Sequence, residues 1–222
     1  CPQAFSVSRT WTAVDDCGNE SGCIQTIEVV DTTAPVLTMP ADITIECDQP
    51  TDPSHTGTAA ASDNCDSAPA VVHSDVETPG NCPAEKTIMR TWTATDACGN
   101  TSSEIQTIHV VDTTPPEISS NAPPTIIPPD APVSFTATAV DNCDDSPIVE
   151  ITQFDCFTIK KNGKRVDKTE SCVIEVFGDT LTILDSGGVH DTITWTVRSE
   201  DSCGNVSTEQ FGLEVINPGK NK

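Results

Sequence analysis

Apolar and polar residues alternate along Thr87–Thr95, so that Ile88, Arg90, Trp92 and Ala94 share one face. Similar period-two runs follow one another along the chain, divided by Gly, Pro, Asn and Asp, and no window carries a convincing 3.6-residue period. The pattern predicts short strands and no helix longer than a turn. Thr87–Thr95, the tight Cys98-Gly99-Asn100 turn, Ile105–Val111 and the stiff exit Asp112-Thr113-Thr114-Pro115-Pro116 form one unit of text. The same unit stands earlier, with Arg9, Trp11, Cys17 and Asp31 each 81 positions before Arg90, Trp92, Cys98 and Asp112 (90 − 9, 92 − 11, 98 − 17, 112 − 31). A looser copy runs from Trp195 to Ile216 around Cys203-Gly204-Asn205. Recurrence at a fixed period marks an array.

This register places the last third of a repeat at 1–32, a complete repeat at 33–114, a longer divergent repeat at 115–217 and a tail at 218–222. Within the complete repeat the predicted strands are Val36–Cys47, His55–Ser62, Ala70–Val76, Thr87–Thr95 and Ile105–Val111. The expected fold is all-β: tandem immunoglobulin-like β-sandwiches stapled by disulfides. In the third repeat Trp195 falls where Arg90 sits and Val197 where Trp92 sits, a two-residue move that keeps the same face of the sheet. Arg9 and Arg90 are expected to lay their stems over the neighbouring indoles.

Eleven cysteines in 222 residues are heavy usage for a reducing compartment and place the protein outside the cell. Strand order in a sandwich predicts Cys65–Cys98 at one end of the repeat and Cys47–Cys82 at the other. Cys143–Cys203 should repeat the first relationship, and Cys156–Cys172 should clip an inserted hairpin. Cys1, Cys17 and Cys23 are an odd remainder. The partners of Cys1 and Cys17 would lie upstream, or Cys17 would bridge Cys23 locally. The hairpin carries the one basic cluster of the sequence, Lys160, Lys161, Lys164, Arg165 and Lys168, around an Asn162-Gly163 turn.

A net charge of −23, from 34 acidic against 11 basic residues, excludes a nucleic-acid binder and argues against docking on anionic lipid. No apolar run reaches the roughly 18 residues of a membrane span. The acidic excess also suits recruitment of cations. Asp31 and Asp112 end the exit strands, while Asp63, Asp66 and Asp96 in one repeat and Asp141, Asp144 and Asp201 in the next lie in turn loops. Converging, such loops could supply the six to eight oxygens that Ca²⁺ prefers, at inter-domain junctions. The competing role for these acids is turn-making, by capping their own backbone. Zinc has no template, since no Cys-x-x-Cys occurs and His55, His73, His109 and His190 stand apart. No Gly-x-Ser-x-Gly elbow supports a Ser/His/Asp nucleophile, and no catalytic set is assigned. Asn19, Asn100 and Asn205 head Asn-x-Ser sequons in exposed turns.

The Trp-Thr-Ala-Thr-Asp-Ala-Cys-Gly-Asn turn at 92–100, with Asp63-Asn64-Cys65 before it and Val-Val-Asp-Thr-Thr-Pro-Pro after it, resembles hyalin-repeat (HYR)-like immunoglobulin-fold repeats. Those occur in tandem in large secreted surface and adhesion proteins of Bacteroidetes. The likeness covers 1–114 well; 115–217 keeps Asp141-Asn142-Cys143 and Cys203-Gly204-Asn205 and departs elsewhere. It implies a β-sandwich, extracellular placement, a stalk or adhesive role and no catalytic residues. In such a host Thr32, Ser67, Thr113, Thr180 and Thr192 match that phylum's O-glycosylation pattern. The expected function is a non-enzymatic segment of a stalk, adhesin or filament, whose partners are neighbouring repeats or subunits, strand donation included. The competing readings are a module for surface glycans or proteins, read by the basic hairpin, and an accessory domain of a secreted hydrolase.

Overall fold

The computed structural model describes residues 1, 3–128 and 132–216, so the tail at 218–222 lies outside the described residues. Chain contacts divide into two compact units. The first comprises Cys1–Ile45, Gln49–Thr78 and Lys86–Val110; the second comprises Glu46–Asp48, Pro79–Glu85 and Val111 onward. The division does not follow the repeat boundaries: the short stretches bearing Cys47 and Cys82 cluster with the residues of the following repeat.

The first unit opens with an antiparallel hairpin of β1 (Phe5–Val14) and β2 (Glu20–Val29). β3 (Val36–Thr38) and β4 (Ile43–Glu46) follow, then a one-turn helix α1 (Pro53–Thr56), β5 (Ala60–Ser62), β6 (Ala70–Pro79), β7 (Lys86–Thr95) and β8 (Thr101–Val111). β3 pairs with β5, and a second sheet runs β4-β8-β7-β6. The predicted face of β7 is the buried one: Ile88, Arg90, Trp92 and Ala94 alternate with half-buried or exposed neighbours, and Ile45, Ala59, Ile108 and Val110 are buried as well. The expected His55–Ser62 strand is shorter than predicted, because Asp52-Pro53 starts α1 instead. The Asp52 carboxylate accepts from the Ser54 amide at 2.9 Å, and Pro53 sits where a helix needs no amide donor.

The second unit contains β9 (Glu117–Ser120), β10 (Thr125–Ile126), β11 (Val133–Val140), β12 (Ile148–Ile159), β13 (Arg165–Asp167), a 3₁₀ turn at Thr169–Ser171, β14 (Val173–Phe177), β15 (Thr180–Asp185), β16 (Asp191–Glu200) and β17 (Val206–Val215). Two sheets, β10-β17-β16-β12-β13 and β14-β15-β11-β9, make a sandwich. Their inner faces meet through Phe135, Leu181 and Ile183 on one side and Ile151, Ile193, Trp195, Val197 and Leu213 on the other. Trp195 lies between Phe135 and Phe211, with ring centroids 6.4 and 6.3 Å away.

The two units fill one core position in opposite ways. Arg90, 1% exposed, donates to Asp75 at 2.8 Å, to Thr56 Oγ1 at 2.7 Å and to the Thr51 carbonyl at 2.7 Å. Its guanidinium stands 6.0 Å from the Trp92 ring. Arg90 and Trp195 each stand six residues before their turn aspartates, Asp96 and Asp201, but Trp195 carries no charge to pair. Gln106, opposite Arg90, is likewise replaced by Phe211, opposite Trp195. A buried ion pair and amide give way to an aromatic pair on an unchanged strand register. The fold is thus all-β, as its alternation predicts, with α1 the sole α-helix among the described residues.

Candidate functional site

The Asp-x-Cys-Gly-Asn turn is built identically three times. Asp15, Asp96 and Asp201 each accept the amides two and four residues on, at 2.8–2.9 Å, and Oδ2 of each accepts the side-chain amide of Asn19, Asn100 or Asn205. These bonds hold the Asp15 and Asp96 carboxyls below the usual carboxylate range, through Asn19 for Asp15 and through Asn100 against the opposing effect of burial for Asp96. Gly18, Gly99 and Gly204 close the turns at φ near +85 to +89°, a left-handed conformation that side chains disfavour. Asn100 and Asn205 spend their second amide hydrogen on the Asp31 and Asp112 carbonyls, at 3.2 and 3.0 Å. Two of the three sequon amides are therefore structural donors rather than free acceptors of glycan.

Around each of the last two turns an acidic cluster assembles. In the first unit, ligating atoms of Asp31 and Asp63 lie within 4.8 Å of each other and of Cys65, and those of Asp31 and Asp96 within 4.8 Å of each other and of Cys98. In the second unit Asp112 and Asp141 converge on Cys143 within the same distance. In all four exit and loop acids Oδ1 is occupied by turn amides: Thr33 on Asp31, Cys65 and Asp66 on Asp63, Thr114 on Asp112, Cys143 and Asp144 on Asp141. In all four Oδ2 is buried and has no hydrogen-bond partner. Asp112 is only 4% exposed; its burial, and then the charges of Asp201, Asp141 and Glu46, raise its carboxyl above the usual range. Burial and the charges of Asp31, Asp63 and Asp96 likewise push the Cys65 thiol up.

Of the eight acids nominated from sequence, five fall in the two clusters, and Asp201 stands beside the second, joined to Asp112 through the Asn205 side-chain amide. Asp66 and Asp144 do different work. Their Oδ2 atoms accept the amides of Ala97 and Ser202, at 2.9 and 2.7 Å, and tie one turn loop to the next. Glu46, missed by the sequence reasoning, accepts the Thr113 amide at 3.1 Å and its hydroxyl, beside Asp112. Its only signal was a position one residue before Cys47.

The disulfides bear out Cys156–Cys172 and correct the rest of the expected scheme. Cys1 pairs with Cys98, Cys47 with Cys143, Cys82 with Cys203 and Cys156 with Cys172, at Cα separations of 4.7, 6.0, 5.0 and 6.4 Å. Cys65–Cys98, Cys47–Cys82 and Cys143–Cys203 do not form. Cys65, Cys17 and Cys23 are exposed free thiols, so no local Cys17–Cys23 bridge exists, and the partner of Cys1 lies downstream rather than upstream. The expectation placed Cys47 and Cys82 together at one end of their repeat. That end is clustered with the turn loops of the following repeat, whose Cys143 and Cys203 sit within bridging distance. Sulfur reacts with the nearest correctly oriented sulfur, whatever repeat it comes from.

The basic hairpin stands on β12 and β13, with Gly163 at φ +79° in its turn and Lys160 and Lys164 joined through the backbone at 3.0 Å. Arg165 caps the Phe157 ring at 3.8 Å and pairs with Asp155 at 3.3 Å. Lys160, Lys161 and Lys164 are exposed. Thr32, Ser67 and Thr113 are exposed, whereas Thr180 and Thr192 are half-buried within strands. Among the described residues no helix is long and apolar enough to cross a membrane.

No protein-family model and no curated protein matches the chain. Among solved structures, mouse cadherin-23 EC22-24 aligns over 96% of this chain and 75% of that one, at 14% identity and a TM-score of 0.36. The protocadherin gammaB4 extracellular domain aligns over 95% and 38%, at 14% identity and 0.36. The N-terminal Ig1-2 module of Drosophila receptor protein tyrosine phosphatase DLAR aligns over 83% and 100%, at 16% identity and 0.26. The assignment to all-β sandwiches rests on the strands and sheets themselves.

Proposed function

We propose that the chain is a non-enzymatic, load-bearing segment of a large extracellular stalk, adhesin or filament built from tandem HYR-like sandwich repeats. One observation carries this reading: the bridge Cys1–Cys98 recurs as Cys82–Cys203. Cys1 and Cys82 occupy the same position 81 residues apart (82 − 1), and Cys98 and Cys203 the same position in the Cys-Gly-Asn turn. A cysteine before the last hairpin of one repeat thus fastens to the turn of the next. Cys47–Cys143 adds a second fastening to the Asp-Asn-Cys loop. Bridges of this number belong to an oxidising compartment, and the resemblance of residues 1–114 to HYR-like repeats agrees with it.

The same register explains what is left over. Cys65 aligns with Cys143, and Cys17 with Cys98 and Cys203; each is an acceptor whose donor belongs to a preceding repeat. The β1–β2 hairpin fits too. Val7, Arg9, Trp11 and Ala13 align with the buried Ile88, Arg90, Trp92 and Ala94, yet Trp11 is 53% exposed where Trp92 is 2% exposed. Residues 33–80 cover this face in the complete repeat, and an equivalent first half, from the same polypeptide or a neighbouring subunit, would cover it on the hairpin.

Electron microscopy of the native material, before and after reduction, tests the reading. Rods or fibres of constant width that loosen when reduced are expected. Isolated compact particles indifferent to reductant would refute it.

A further inference from the structure

We propose that the two acidic clusters are calcium sites, one centred on Asp31 and Asp63 with Asp96 beside them, the other on Asp112 and Asp141 with Asp201 and Glu46 beside them. Turn-making accounts for one oxygen of each carboxylate and leaves the other unexplained. Oδ1 of Asp31, Asp63, Asp112 and Asp141 caps backbone amides, a task asparagine performs equally well. Oδ2 of the same four residues is buried and unpartnered. In each cluster a carboxylate oxygen of one such residue lies within 4.8 Å of a carboxylate oxygen of the other, and Asp112 is only 4% exposed. A buried carboxylate oxygen is ordinarily paired with a donor or a cation.

The described residues supply no such cation. The four ion pairs among the described residues are Lys86–Glu77, Arg90–Asp75, Arg165–Asp155 and Arg198–Glu200, none of which touches either cluster. The cation must therefore come from solvent. The donor set selects its class. The sulfurs of Cys98 and Cys143 are consumed in disulfides, and the free thiol of Cys65 stands in the first cluster alone, so the ligands common to both clusters are hard carboxylate oxygens. Neighbouring carbonyls and water can complete an irregular shell of the kind calcium accepts and magnesium, with its strict octahedron, does not. The clusters arise from different sequence spacings, since Asp63 lies 32 residues after Asp31 and Asp141 lies 29 after Asp112 (63 − 31, 141 − 112). They nonetheless reproduce the same pair of orphaned oxygens.

Calorimetric titration of the EDTA-stripped, disulfide-intact chain with CaCl₂ should give two sites, and calcium should raise the melting midpoint by about 5 °C. Asp112→Asn/Asp141→Asn should leave one site, as should Asp31→Asn/Asp63→Asn. In EDTA each double variant should melt at or above the parent, because amides keep the turns and remove the repulsion. Magnesium at equal concentration should bind at least tenfold more weakly. Hydrogen exchange on the unmutated chain provides a readout independent of any variant, with calcium slowing exchange at 31–35, 63–67, 112–116 and 141–145. Absence of calcium binding, protection confined to other segments, two sites surviving in either double variant, or equal affinity for magnesium would each overturn the assignment.

Discussion

The interleaved bridges should short-circuit the chain under tension. With handles at residues 1 and 222, the shortest covalent path crosses from Cys1 to Cys98, runs back to Cys82, crosses to Cys203 and continues to Lys222. That path contains 16 backbone steps from Cys98 to Cys82 and 19 from Cys203 to Lys222 (98 − 82, 222 − 203), 35 in all. At about 3.5 Å per extended residue the oxidised chain should reach only about 120 Å however hard it is pulled. Reduced, all 222 residues bear load and the limit rises to about 780 Å. The intra-repeat scheme of Cys47–Cys82 and Cys143–Cys203 would expose 46 backbone steps up to Cys47, 61 from Cys82 to Cys143 and 19 after Cys203 (47 − 1, 143 − 82, 222 − 203). Its limit is about 440 Å. Single-molecule force–extension in optical tweezers, repeated with and without dithiothreitol, separates the three values without any mutation. An oxidised contour near 440 Å would refute the bridging pattern and the load-bearing role drawn from it. A contour indifferent to reductant would do the same.

Three further outcomes follow from particular residues. Arg90→Met leaves Asp75 and the Thr51 carbonyl without their donor, at a cost of about 3 kcal/mol, the low end for a broken buried pair because the Asp75 side chain is 31% exposed and regains water; faster amide exchange along β7 measures it, and Arg90→Met/Asp75→Val should recover part of the loss. Gly204→Ala should cost about 1–2 kcal/mol, read as a lower melting midpoint; no atom stands within 4 Å of the added methyl, so the backbone at φ +88° is the whole cause, and an unchanged midpoint would contradict it. The Arg90 hydrogen bond holds the Asp75 carboxyl below its ordinary value, so the pair contributes stability that is complete above the unfolded carboxylate pKa of about 3.9 and is lost as pH falls through the folded value. Acid titration of unfolding should show that loss in the parent and not in Arg90→Met.

Strand-level architecture was legible in the residues because it is a local matter. A period of two fixes which side chains share a face, so the buried set Ile88, Arg90, Trp92 and Ala94 could be named from spacing alone. The Cys-Gly-Asn turn was equally legible, since only glycine takes its left-handed position freely and Asp and Asn bond their own backbone. One local signal was passed over: Asp52-Pro53, a helix start inside a stretch read as strand. The acidic clusters were half legible. Residue type and loop position nominated their members, but which carboxylate oxygens would be left without a partner depends on the loops being folded together. Asp66 and Asp144 show the difference, since they match their neighbours in sequence and serve as loop ties in space.

Only the local clip Cys156–Cys172 was legible in the sequence; the pairing of the other bridges was not, for a physical reason. Counterparts of Cys65 and Cys98 recur together in the third repeat as Cys143 and Cys203, while Cys47 and Cys82 have no counterparts there. Bridges within a repeat and bridges to the next repeat share Cys47, Cys82, Cys98, Cys143 and Cys203 and differ only in taking Cys65 or Cys1 as the sixth, so composition and spacing satisfy both. The choice belongs to distances of 5–6 Å between Cα atoms far apart in sequence, and those distances exist only once the ends of one repeat have packed with the turn loops of another. Alternation and turn chemistry made the strands; tertiary packing alone decided how the sulfurs lock them.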